Sequence, residues 1–192
     1  IMEVSSLGLK ADRVAGLAFA VGIFTNFSPD HIGPGEHADL AEYLHWKAAL
    51  FPHCAAGVFN NDDAWVGKIR QGAPCRAVTY GIDRPADLRA DADITLTRTG
   101  GRLGAAFTVD GVPYTVGMPG AFSVYNALAA LAAARLLGAG EQAVRRGLAE
   151  AVVRGRVEPA AVGAPFTVLI DYAHNEAAAE SLLRTLRAYK PA

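Results

Sequence analysis

The sequence predicts an α/β chain: a mostly parallel sheet flanked by helices, a small antiparallel β extension, and the first strand-helix unit of a second α/β domain. Three observations carry this. Short apolar runs rich in strand formers alternate with segments of helical period. The strand-like runs end in polar clusters at their C-terminal edges, where open parallel sheets place their sites. Between Ala92 and Val116 the pattern changes to alternating segments separated by the turn pairs Gly100-Gly101 and Asp110-Gly111, as in hairpin-linked antiparallel strands.

Taken in order, Ile1 to Val4 reads as the tail of a buried strand running into Ser5-Ser6, and Phe19 to Thr25 as a second strand. Leu40, Ala41, Tyr43, Leu44, Ala48 and Phe51 recur at helical spacing behind the breaker Gly33-Pro34-Gly35, so Ala38 to Phe51 is an amphipathic helix. Gly57 to Phe59 is a strand closing on Asn60-Asn61-Asp62-Asp63, a helix begins near Asp63, and Arg76 to Tyr80 is the next strand. Beyond the antiparallel segments, Ser123 to Leu137 is helical with Gly138 as its C-cap, and Gln142 to Val152 is a second helix. Gly155 to Pro165, punctuated by Gly and Pro, is the expected interdomain hinge; Phe166 to Ile170 is a strand ending at Asp171, and Ala177 to Tyr189 a helix.

Composition narrows the function classes. Of 192 residues 52 % are hydrophobic and 19 % charged, which excludes a disordered chain and a disulfide-stapled miniprotein. A chain of this length buries roughly 70 % of its unfolded surface, enough for one sizeable core or two small ones. Eighteen basic against 19 acidic side chains, a net charge of −1, lack the excess that holds a nucleic-acid backbone. No nucleic-acid partner and no membrane insertion are expected, since no uninterrupted apolar run approaches the ~18 residues of a spanning helix. Cys54 and Cys75 have no close partner spacing and are expected as two buried thiols in a reducing, cytoplasmic setting. Because Ile1 opens directly in an apolar run and Ala192 follows a helical pattern, a piece of a longer protein is expected.

Polar clusters fall at four strand ends: Glu3 to Ser6, Thr25-Asn26 through Asp30-His31, Asn60 to Asp63, and Asp171 to Asn175. Taken singly, each is explained by the turn preferences of acidic and amide residues. Together, a carboxylate after one strand and a His after its neighbour could converge on a divalent ion with oxygen and imidazole ligands. His37, His45 and His53, eight residues apart, share no helix face and read as surface or loop residues.

The segments IMEVSSLGL, FTNFSPDHIGPGEH, YLHWKAALF, FNNDD, MPGAFSVYNALAALAAA, RGRVE and IDYAHN, in that order, resemble the Mur ligase family, and within it the MurE-type branch, from Met2 to about Arg187. The resemblance implies residues 1–157 as the central ATP-binding domain, lacking its phosphate-loop part, and 158–192 as the start of a Rossmann-like C-terminal domain. It implies an ATP-dependent amide ligase that adds diaminopimelate or lysine to UDP-N-acetylmuramoyl-L-alanyl-D-glutamate through an acyl phosphate. The chemistry needs ATP and Mg2+, because a carboxylate is a poor electrophile until phosphorylated and the charges brought together must be neutralised.

Transferred residue by residue, Glu3 would hold one magnesium ion and His31 a second, and Lys47 would be carbamylated into a carboxylate-like metal ligand. Asn126 would contact adenine, Arg156 the nucleotide phosphates and Asp171 the ribose, with His174 and Asn175 lining the nucleotide. Ser5 and Arg13 would contact the UDP-sugar peptide; Asn60, Asp62 and Asp63 match an NxDD element with a role at the strand end. The substrates are the only partners implied; a monomer is the expected state. Departures from the family pattern are Ala121 and Ser123 where Arg and Asn are usual, Ala11 for a polar residue, Glu176 for Pro, and a longer interval between His31 and Lys47 around Gly35-Glu36-His37. No GKT or GKS phosphate loop lies in these residues, and this piece alone is not expected to catalyse. The alternatives are another amide ligase, of the folylpolyglutamate synthase or cyanophycin synthetase type, and a non-catalytic nucleotide-binding module.

Overall fold

The computed structural model describes residues 1–29, 32–99, 102–160, 166–174 and 176–190. His31 and Asn175 therefore lie outside the described residues, as do Gly100 and Gly101. The chain divides into two compact units, the first comprising residues 1–88 and 129–138 and the second 89–128 and 139–192.

The first unit begins without a strand. Among the described residues Ile1 to Val4 has no ladder partner, and Ile1 and Met2 are exposed. An apolar run becomes a strand only where a neighbour takes its N–H and C=O groups. Here the sheet is ordered β1-β2-β3-β4, with β1 (Phe19–Phe24) at its edge and followed by β2 (Cys54–Asn60), β3 (Arg76–Gly81) and the short β4 (Leu88–Arg89). β1 pairs with β2, and β2 with β3, in parallel, so their C-terminal ends lie on one edge.

α-Helices lying wholly within this unit are α1 (Ser6–Lys10), α2 (Leu40–Ala48) and α3 (Val66–Arg70). Asp39 caps α2 by accepting the Glu42 N–H at 2.8 Å, and Glu42 reaches back to the Ala38 N–H at 2.7 Å, a capping box shifted by one residue. The expected helix near Asp63 starts at Val66, because Asp63 spends its carboxylate on the preceding turn. The core gathers Phe24, Phe27, Tyr43, Leu44, Phe51, Phe59, Val66 and Ile69. β2 is buried almost throughout, as a central parallel strand must be.

The second unit holds the antiparallel sheet β5 (Thr95–Thr99), β6 (Arg102–Val109) and β7 (Val112–Val116). Asp110 and Gly111, at φ 53° and 75°, supply the positive angles that a two-residue hairpin turn requires. α4 (Ala121–Leu136) runs from the second unit's residues into the first's, and α5 (Glu141–Glu150) packs on β7 through Val144 and Leu148. Ser123 is buried and its hydroxyl donates to the Pro119 carbonyl at 2.6 Å, closing the first turn of α4. The expected hinge holds a further strand: β8 (Glu158–Ala160) pairs antiparallel with β9 (Val168–Ile170) before α6 (Glu176–Ala188). Among the described residues no helix is long and apolar enough to cross a membrane.

Cys54 is buried, whereas Cys75 is only half-buried, a partial correction to two buried thiols. Burial and the nearby Cys75 push the Cys54 thiol up to about 11, so it stays protonated and donates to the Leu50 carbonyl at 3.3 Å.

Candidate active site

In the first unit Glu3 is exposed just ahead of α1, and Ser5 caps that helix by accepting the Gly8 N–H at 3.0 Å. The Ser5 hydroxyl accepts here, so its hydrogen is left to donate to a ligand. Arg13 is exposed, its N–H donating to the Gly8 carbonyl at 2.9 Å, which folds the chain back over α1.

Lys47, in the last turn of α2, is half-buried, and burial pulls its pKa below the ordinary lysine range while the Glu3 carboxylate pulls it back up. That pairing brings together two of the residues expected at the metal side. Lys47 Nζ lies 5.5 Å from the centre of the Tyr43 ring, a cation over an aromatic face one turn earlier on the helix.

The loop before α2 is pinned. Lys10 pairs with Glu42 at 2.9 Å and donates to the Glu36 carbonyl at 3.2 Å. Those bonds hold the half-buried Glu42 carboxyl down to about 2, the Lys10 contact leading and the Ala38 N–H next. His37, expected at the surface or in a loop, lies in this loop but is fully buried against Ser6 and Tyr43. A polar loop gave no periodic signal of that burial.

The strand-end element does structural work. Asn60 donates to the Thr25 carbonyl at 2.8 Å and accepts the Asp62 N–H at 3.1 Å. Asp63 accepts from Phe27 at 2.9 Å and Trp65 at 2.8 Å, while Asp62 takes the N–H groups of Ile82, Asp83 and Arg84 at 2.6, 2.9 and 2.7 Å. One carboxylate therefore satisfies three donors of the turn after β3.

The residues expected at the nucleotide belong to the second unit. Asn126 is exposed on α4. Arg156 is exposed with its guanidinium 5.1 Å from the centre of the Tyr172 ring. Carboxylates clamp the backbone on both sides of it: Glu158 accepts the Gly155 N–H at 2.8 Å and Asp171 the Val157 N–H at 2.9 Å. Val157 sits at φ 48°, an unusual angle for a β-branched residue, and the clamp holds it there. Asp171 also accepts the Ala173 N–H at 2.8 Å, leaving further lone pairs on both oxygens. His174 is exposed, with Nδ1 3.0 Å from the Tyr172 carbonyl.

Residues 1–134 match the model of the Mur ligase middle domain. The chain belongs to the Mur ligase family. A UDP-N-acetylmuramoyl-L-alanyl-D-glutamate--2,6-diaminopimelate ligase of Halalkalibacterium halodurans is 35 % identical over 193 residues, covering 97 % of this chain and 39 % of the relative. The ligase of the same name from Corynebacterium efficiens is 38 % identical over 197 residues, covering 97 % and 36 %. A UDP-N-acetylmuramyl-tripeptide synthetase of Lactococcus lactis is 35 % identical over 189 residues, covering 97 % and 38 %. A solved diaminopimelate ligase structure superposes with a TM-score of 0.75 at 26 % identity over 95 % of this chain and 38 % of its own. The chain thus spans about two fifths of the curated relatives it matches.

For this Mur ligase chain, the donor set can be tested against magnesium. No group of three or more His, Cys, Asp or Glu among the described residues could cage a metal ion. Magnesium is ordinarily held by one or two carboxylates together with substrate phosphates and water, and the exposed Glu3 carboxylate suits that demand.

Proposed function

We propose that the full-length protein is an ATP-dependent ligase that joins an amino acid, diaminopimelate or lysine, to UDP-N-acetylmuramoyl-L-alanyl-D-glutamate. The observation that carries this is Lys47, a half-buried amine shifted toward its neutral form by burial, whose charge is felt by the Glu3 carboxylate. Only an unprotonated amine takes up carbon dioxide, and the product is an anionic oxygen ligand where a cation stood. The names of the relatives support the substrate class.

In this mechanism Ser5 and Arg13 hold the UDP-sugar peptide, the first by its remaining hydroxyl hydrogen and the second by its planar fork. Glu3, His31 and a carbamylated Lys47 would hold Mg2+, which would supply neutralisation of the charge gathered at the transferred phosphoryl group. Asn126, Arg156, Asp171, His174 and Asn175 hold ATP. The substrate carboxylate takes the terminal phosphoryl group of ATP, releasing ADP and giving an acyl phosphate, and the incoming amine displaces phosphate and loses a proton to form the amide. Residues 1–157 form the central domain and 158–192 the start of the next, and the nucleotide-linked substrates place the reaction in the cytoplasm.

The test is amide formation by the full-length protein with ATP, magnesium and the UDP-linked dipeptide, comparing diaminopimelate with lysine. Dependence on one amine, loss in Lys47→Ala and recovery with a short carboxylic acid are expected. Absence of phosphate release with either amine, while ATP still binds, would overturn the ligase assignment.

A further inference from the structure

His37 is 0 % exposed, a costly place for an imidazole unless its polar atoms are used. Its Nε2 lies 2.9 Å from Ser6 Oγ, and its ring stacks on Tyr43 with centroids 4.8 Å apart and planes 16° from parallel. Ser6 is the first residue of α1, immediately after the Ser5 cap and three residues beyond Glu3. Tyr43 is the residue over which Lys47 Nζ sits at 5.5 Å. A leucine would fill a similar volume without desolvating nitrogen, but it could not bond Ser6. One side chain therefore joins the segment that carries Glu3 and Ser5 to the helix that carries Lys47.

We propose that His37 is a positioning residue, whose bond to Ser6 and stack on Tyr43 together set the placement of Lys47 relative to Glu3. This rests on the metal-binding role given to Lys47 above. A ligand-holding constellation loses rate steeply with small displacements, because the reacting groups are aligned only within a narrow geometry. The Lys10 contacts to Glu36 and Glu42 brace the same loop from outside, so loss of the His37 contacts should misplace the pair without melting the loop.

The test uses the full-length protein with Ser6→Ala, His37→Phe, the two combined, and His37→Gln. The phenylalanine keeps the stack and loses the bond; the glutamine loses the stack but supplies an amide able to reach Ser6. Ser6→Ala and His37→Phe are each expected to lower kcat about ten-fold with KM for ATP within about two-fold, the double variant no worse than either, and His37→Gln to recover only the share of the loss carried by the Ser6 bond, since it lacks the stack. Near-wild-type kcat in both single variants, losses that multiply in the double, or losses that track the unfolded fraction would overturn the proposal.

Should the wild-type protein form no amide at all, the ligase assignment falls, and labelling decides the positioning separately. Acetic anhydride modification of Lys47, read by mass spectrometry against Lys68, should rise about three-fold or more in both single variants if the contacts hold Lys47 in place. Unchanged labelling would overturn it.

Discussion

Lys47 and His37 share one aromatic ring: the amine stands 5.5 Å from the centre of Tyr43, and the imidazole stacks on the same ring at 4.8 Å. A half-buried cation is thus carried on a surface whose other neighbour is a buried polar group, and burial disfavours the charged form of the amine.

That arrangement predicts a stability gain when the amine is removed. Burial lowers the folded pKa of Lys47 below its ordinary 10.5, so between those values the unfolded chain binds more protons and stability rises with pH. At pH 7 in carbon-dioxide-free buffer, Lys47→Met should raise Tm by about 1–3 °C. The gain should shrink as the pH approaches 10.5, where wild-type Lys47 is neutral too. A lower Tm at pH 7 in thermal unfolding would contradict it.

Asp62→Ala should be among the most damaging substitutions at the sheet edge. It strips a charged acceptor from the N–H groups of Ile82, Asp83 and Arg84, at a cost of about 2–4 kcal/mol. Asp62→Asn, which keeps one acceptor oxygen, should recover part. Urea unfolding of both variants checks the order.

Two glycines should respond oppositely to alanine. A Cβ at Gly57 would meet the Phe59 ring at 2.5 and 2.6 Å and Cys75 Sγ at 3.0 Å, and overpacking there should cost roughly 1–3 kcal/mol. At Gly67 in α3 nothing lies within 4 Å, so alanine should stabilise by up to about 1 kcal/mol through helix propensity. Equal effects in denaturant melts would argue against the packing of β2.

Glu42 should titrate abnormally. Its folded pKa of about 2 lies below the ordinary 4.5, so its contribution is present above about 4.5 and lost as pH falls toward 2. Lys10→Met should move the carboxyl back toward 4.5, and salt should weaken the effect because the pair is exposed. Carboxyl NMR titration of Glu42 reads both.

Much of the fold was legible because its elements announce a period. The β6-β7 hairpin follows from alternation closed by Asp110-Gly111, and α2 from apolar spacing behind Asp39. The short strand β8 was not, since three residues with a proline at their centre carry too little pattern and exist only by pairing with β9. Ile1 to Val4 differed the other way: apolar composition suggested a strand, but among the described residues no neighbour pairs with it as a strand.

The sequence by itself determined the family, the order of the elements and the candidate residues, because these are carried by local pattern and by motifs in register. Only the tertiary structure decided what those residues do to one another. The burial of His37, the lowered pKa of Lys47 beside Glu3 and the three donors gathered by Asp62 all depend on groups far apart along the chain. Desolvation and hydrogen bonding are set by neighbours in space, and no local pattern states which neighbours those will be.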